Sequence, residues 1–82
     1  MLVNPTDVKT FIEQGLDCDL IEVKGDGHHF EAIIVSQLFR GKTMVQQHQL
    51  VYKALGDRMR EEVHALSMKT FTPEQWSDHV RR

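Results

Sequence analysis

The chain has 82 residues, a formal net charge of −2 and a single cysteine. That length bounds it to one small domain. One cysteine excludes an intramolecular disulfide, and the acidic balance argues against strong non-specific nucleic-acid binding, which rests on excess Lys and Arg. The lone Cys18 fits a reducing setting. The start Met1-Leu2-Val3-Asn4-Pro5 does not read as a secretory signal. No apolar run approaches the roughly 18 residues of a membrane span. A cytoplasmic protein is expected.

In chain order, the first segment reads as a helix. Asn4 or Thr6 can cap it, Pro5 suits its first turn, and Asp7 suits the positive end of the helix dipole. Val8, Phe11, Ile12 and Leu16 form one apolar stripe. Leu20 to Lys24 reads as a short strand, followed by a glycine turn at Gly25-Asp26-Gly27. His29 to Leu38 reads as the longest strand, and apolar residues on both of its faces suit a central place in the sheet. Thr43 can cap the next helix, whose apolar stripe reads as Val45, His48, Tyr52, Leu55 and Met59, with Met44 and Val51 beside it. Gly56 is costly inside a helix, so a break there is expected, giving two middle helices. Val63 to Thr70 reads as a third strand. Thr72-Pro73-Glu74-Gln75 then spells a capped helix start, and Trp76 and Val80 give that helix an apolar side. Three strands with three or four helices make a two-layer α+β sandwich.

Imidazoles are the most informative side chains. His28 and His29 sit beside the glycine turn, where the plain reading is two solvated residues and the functional one is a metal ligand. Strand alternation would send the two rings to opposite faces, so one of them is expected to be the better ligand. His64 opens the third strand, either as a half-buried strand histidine or as a second ligand beside His29. His48 reads as a packed histidine of the middle helix, and His79 as a residue of the frayed C-terminus. Cys18 lies at the other end of the first strand and reads as a small buried residue.

Enzymatic signatures are absent. Gly25-Asp26-Gly27-His28-His29-Phe30 lacks the third glycine of a dinucleotide fingerprint, and a strand follows it. There is no Walker A sequence, HExxH, CxxC or nucleophile elbow. Asp17, Asp19 and Asp26 have no evident carboxylate partner. The chain is not expected to be an enzyme.

One set of residues, in order and spacing, resembles the BolA family. It comprises Leu38-Phe39-Arg40-Gly41-Lys42, Val45, His48, Val51-Tyr52, Val63-His64-Ala65-Leu66-Ser67 and Thr72-Pro73-Glu74-Gln75-Trp76. The hairpin Gly25-Asp26-Gly27-His28-His29-Phe30 looks like the shorter, YrbA-type bacterial branch. The resemblance implies an αββααβα, class II KH-like domain, with a three-stranded mixed sheet covered by helices on one face. It implies a heterodimer with a monothiol glutaredoxin and a shared [2Fe–2S] cluster, for which the partner and glutathione supply thiolates. It implies His64 and the hairpin His29 as this chain's ligands, with His28 the weaker candidate. Two nitrogens on one iron and thiolates on the other tend to raise the reduction potential.

The expected role is an adaptor in cluster assembly, delivery or iron sensing. No cofactor is expected in the isolated chain, which is expected to be a monomer or weak dimer. The resemblance carries an alternative, a DNA-binding transcription regulator using the middle helices in the manner of a helix-turn-helix. Lys42, Lys53, Arg58, Arg60 and Lys69 could then contact phosphates. Against it, the chain lacks the Gly-x-x-Gly loop by which KH domains clamp a nucleic-acid backbone.

Overall fold

A computed structural model of the chain describes residues 3–26, 28–58 and 63–81. Each of its three α-helices starts at a reciprocal capping box. Helix α1, Pro5–Gly15, is capped by Asn4 and Asp7. Helix α2, Met44–Leu55, is capped by Thr43 and Gln46. Helix α3, Pro73–Val80, is capped by Thr72 and Gln75. Each box satisfies two backbone N–H groups that would otherwise lack partners.

Strands β1 (Leu20–Gly25), β2 (Phe30–Val35) and β3 (Leu66–Phe71) form one sheet in the order β1-β2-β3. β1 and β2 pair antiparallel, whereas β2 and β3 pair parallel, with Phe30 opposite Leu66 and Val35 opposite Phe71. The domain is therefore the expected α+β fold with a mixed sheet and β2 at its centre. α1 and α2 cover one face. Val8, Ile12 and Leu16 pack there with Ile21, Phe30, Ala32, Ile34, Phe39, Val51, Leu55 and Leu66. Glu22, Lys24, Glu31, Ser67 and Lys69 alternate with these core positions and are exposed on the other face.

Several boundaries depart from the sequence reading. β2 begins at Phe30 and ends at Val35, inside the expected His29–Leu38. Ser36 ends it: its hydroxyl donates to the Asp17 carbonyl at 2.7 Å and accepts from the Leu38 N–H at 3.1 Å. That cap starts a 3-10 turn over Gln37–Phe39. β3 begins at Leu66, not Val63, because Val63–Ala65 form a second 3-10 turn. Gly56 does end the middle helix, as its left-handed φ of +58° suits glycine. The second middle helix expected after it would run through residues 59–62, outside the described residues.

The inward face of α2 is also rotated from the expected one. Gln47, Val51 and Leu55 are the buried residues of the helix, whereas Val45 and Tyr52 are exposed. The cause is Gln47, a polar residue that tertiary partners make acceptable in the core. Its amide Nε2 donates to the carbonyls of Lys42 at 3.0 Å and Phe39 at 3.3 Å. Its Oε1 accepts from the Thr70 hydroxyl of β3 at 2.6 Å. One side chain thus ties α2, its entry loop and the sheet together.

The β1–β2 connection is a four-residue loop, Asp26 to His29, held by one carboxylate. Asp26 Oδ1 accepts from the backbone N–H of His28 at 2.8 Å and of His29 at 2.9 Å. The Asp26 N–H in turn donates to the His29 carbonyl at 3.3 Å. Gly25 is required by space: a Cβ there would stand 2.2 Å from the His29 carbonyl oxygen. The positive φ that the glycine turn suggested is not found at Gly25, and Gly27 lies outside the described residues. The His29 and then the His28 N–H lower the Asp26 carboxyl below its ordinary 3.8.

Two outcomes are expected. Gln47→Leu should lower the unfolding free energy in urea by about 1–3 kcal/mol, because it strands buried polar groups; an unchanged midpoint would remove Gln47 as the tie. The second concerns acid. A depressed carboxyl stabilises the loop above its unfolded titration range and loses that effect as pH falls through the folded value. The amide protons of His28 and His29 should therefore move together in an NMR titration below pH 3.8, and that step should vanish in Asp26→Ala.

Candidate functional site

The parallel pairing of β2 and β3 decides which histidines meet. Phe30 and Leu66 form the first rung, so both strands begin at the same end of the sheet. His29 lies one residue before that rung on one chain segment, and His64 two residues before it on the other. Adjacent strands stand about 4.8 Å apart. The hairpin and the turn before β3 therefore present their histidines at one edge of the molecule. His28, His29 and His64 are all exposed there.

His29 belongs to the loop, not the strand, so strand alternation does not separate it from His28. Both are anchored through their N–H groups to the same Asp26 oxygen. His29 is distinguished by its carbonyl bond to Asp26 and by its place directly before the buried Phe30. His64 sits on the 3-10 turn Val63–Ala65, which excludes the half-buried strand histidine as its description. What the turn provides is a ring in solvent at the mouth of β3.

Among the described residues, no three His, Cys, Asp or Glu side chains converge as a metal-holding group. What that edge offers is two or three exposed imidazoles, a residue type able to ligate a metal through nitrogen. Cys18 cannot help. It precedes β1 at the far end, where the Asp19 N–H donates to the Val35 carbonyl. Six strand residues put it roughly 20 Å from the hairpin. Burial, then the carboxylates of Asp17, Asp19 and Glu13, push its thiol up to about 11. At neutral pH it is protonated and a poor nucleophile or ligand.

The other histidines lie elsewhere. His48 is partly exposed on α2. His79 stacks on Trp76, with ring centroids 5.4 Å apart, and lies 5.1 Å from Phe71.

The basic residues considered for phosphate contact do not gather on one face. Lys42 and Lys53 are exposed before and within α2, roughly 16 Å apart along its axis. Arg58 lies over the Phe11 ring, 5.2 Å from its centroid, and hydrogen-bonds Gln14. Lys69 is on the opposite side of the sheet from α2, since its neighbours Met68 and Thr70 face the helix layer. Arg60 lies outside the described residues. Arg40, which the candidate set omits, is engaged with Glu74: its Nε donates to Glu74 Oε1 at 2.8 Å, tying the turn before α2 to α3. No described helix is long and apolar enough to cross a membrane.

Comparison with known proteins agrees with this architecture. The family model "BolA-like protein" matches residues 13–75. The acid stress protein IbaG of Escherichia coli (strain K12) is 33% identical over 72 residues, covering 87% of this chain and 86% of that protein. The structure of a bolA protein homologue from Coxiella burnetii superposes with a TM-score of 0.83 at 44% identity, covering 93% of this chain and 99% of the other. Two curated relatives are longer. The chain matches bovine BolA-like protein 1 at 33% identity, with 88% of this chain spanning 61% of that protein. It matches the DNA-binding transcriptional regulator BolA of Haemophilus influenzae at 40% identity, with 65% of this chain spanning 52% of that protein. The fold, the matched span and these identities have one reading: the chain belongs to the BolA-like family, with the short bacterial type.

Proposed function

We propose that this chain is a non-enzymatic adaptor that pairs with a monothiol glutaredoxin and shares a [2Fe–2S] cluster with it. The observation that carries the reading is the register of β2 against β3. It brings the exposed His29 and His64 to one edge while the half-buried Cys18 stays at the other. The donor set fits half of a shared group: neutral imidazoles on this chain, with room for thiolates from the partner and glutathione. When bound, such a cluster supplies one-electron chemistry, and two nitrogen ligands on one iron favour a higher potential.

The chain's own residues do the positioning. Asp26 fixes the hairpin backbone, so His29 is offered from a closed loop. The turn over Val63–Ala65 offers His64 from the mouth of β3. Work of this kind suits cluster assembly, delivery or iron sensing in the cytoplasm. On this reading the isolated chain carries no cofactor and is a monomer or weak dimer.

A second reading, transcription regulation through DNA, is favoured by the likeness to the Haemophilus DNA-binding transcriptional regulator BolA. The scatter of Lys42, Lys53, Arg58 and Lys69 over different faces weighs against it. Phosphate binding would reveal itself as a steep loss of affinity with salt.

Mixing the chain with a monothiol glutaredoxin, glutathione and an iron–sulfur source should give a heterodimer with a visible-region cluster spectrum. His64→Ala should change the spectrum and make the cluster labile; an unchanged spectrum and lifetime would remove His64 as a ligand. His29→Ala should behave like His64→Ala, and His28→Ala should remain close to wild type. If only His28→Ala alters the cluster, the hairpin ligand is His28.

A further inference from the structure

The sheet face opposite α1 and α2 carries charges that the histidine edge does not use. Strand register lays its side chains out in rows. Leu20, Val35 and Phe71 form one row, Glu22, Ile33 and Lys69 the next, and Lys24, Glu31 and Ser67 the third. Helix α3 closes the first row. Trp76 stands edge-on to Phe71 with ring centroids 5.2 Å apart, and Val35 is buried there although it lies outside the main core. The other two rows are open and line a concave slot of about 390 Å³, a volume within the usual range of small-ligand sites.

Charge and width narrow the occupant. Lys24 and Glu31 pair with each other in the third row, at 3.9 Å. Among the described residues, Glu22 and Lys69 have no ion-pair partner. They are exposed on the two outer strands, with the half-buried Ile33 between them on β2. Adjacent strands stand about 4.8 Å apart, so an acid and a base flank an apolar floor roughly 10 Å wide. Ser67, on the strand and face of Lys69, adds a hydroxyl donor one row along. Opposite charges on the two sides complement a ligand that carries both signs at its ends. A free amino acid is too short, because one Cα separates its charges. An extended peptide covers roughly 3.3–3.6 Å per residue, so two or three residues match the width.

We propose that the open face of the sheet binds a short zwitterionic peptide, two or three residues long, laid across the strands. Its terminal ammonium pairs with Glu22. Its terminal carboxylate pairs with Lys69 and accepts from the Ser67 hydroxyl, and its middle lies over Ile33. Each charged contact is made beside water and contributes little alone. The site therefore selects by requiring both ends, with an affinity of roughly 1 mM. His28, His29 and His64 take no part, so the slot fills whether or not a cluster is held at the histidine edge.

The test is an NMR titration of the full, isotopically labelled chain with trialanine at low and high salt. Trialanine moves the amide signals of Ile33, Ser67 and Lys69 along a saturating curve, more weakly at high salt. N-acetyl-trialanine and trialanine amide each lack one terminal charge and bind about threefold to fivefold more weakly. Alanine itself leaves the signals in place. Glu22→Gln removes the difference between trialanine and its acetylated form, and Lys69→Gln removes the difference between trialanine and its amide. Each variant keeps the other difference. If a variant disturbs the fold, the blocked peptides test the same two contacts on the wild-type chain.

Equal affinity for free and blocked peptides overturns the peptide site. So does a failure of these signals to approach saturation at about twenty times the expected dissociation constant. Inorganic phosphate that binds as tightly as trialanine also overturns it, because the slot is then an anion site only. Movement of the same signals when the protein alone is concentrated overturns it too, since a second copy then covers the face.

Discussion

The parallel pairing of β2 with β3 is the constraint on which the rest of the molecule depends. Two parallel strands cannot be joined by a tight turn, so the chain must cross the sheet before it pairs again. Here the crossover contains α2, which lies over the core face beside α1. The same pairing makes both strands start at one edge. The loop that enters β2 and the turn that enters β3 are thereby neighbours, although their histidines are separated by 35 positions in sequence, 64 − 29. A hairpin pairing of β3 would have carried His64 to the other end of the sheet, beside Cys18.

That pairing is secured from the helix side by Gln47. A leucine in its place would supply apolar area without direction. The amide instead joins the entry carbonyls of α2 to the Thr70 hydroxyl, fixing how the helix lies along β3. Buried polar groups of this kind specify one arrangement because their alternatives leave donors and acceptors unpaired. The cost falls on the outward face of α2: with Gln47 and Val51 turned inward, Val45 and Tyr52 are left in solvent. The tie within the fold and the apolar surface outside it are two sides of one helix rotation.

Local chemistry was legible residue by residue. Asn4, Thr43 and Thr72 mark the three helix starts because each cap is satisfied within a few residues of itself. The Val8–Ile12–Leu16 stripe was legible because every inward position on α1 is apolar. α2 was misread by one notch for the opposite reason: its inward face contains Gln47, whose partners at Phe39, Lys42 and Thr70 no periodicity can display. The start of β3 was misread because Val63, Ala65 and Leu66 suit a strand, while the chain first makes a 3-10 turn. Likewise Gly25 drew notice as a turn residue, but its requirement is the approach of the His29 carbonyl, a contact defined only once the loop has closed.

The sequence by itself determined the element order, the helix caps and the family resemblance, since these depend on neighbours a few positions apart or on ordered motifs along the chain. It also named the imidazoles and isolated the lone thiol. Only the tertiary structure decided that His29 and His64 share an edge, that Cys18 lies half-buried at the far one, and that Val45 and Tyr52 face water. Each of those facts follows from strand register, helix rotation or burial, and these are settled by contacts between residues distant in sequence.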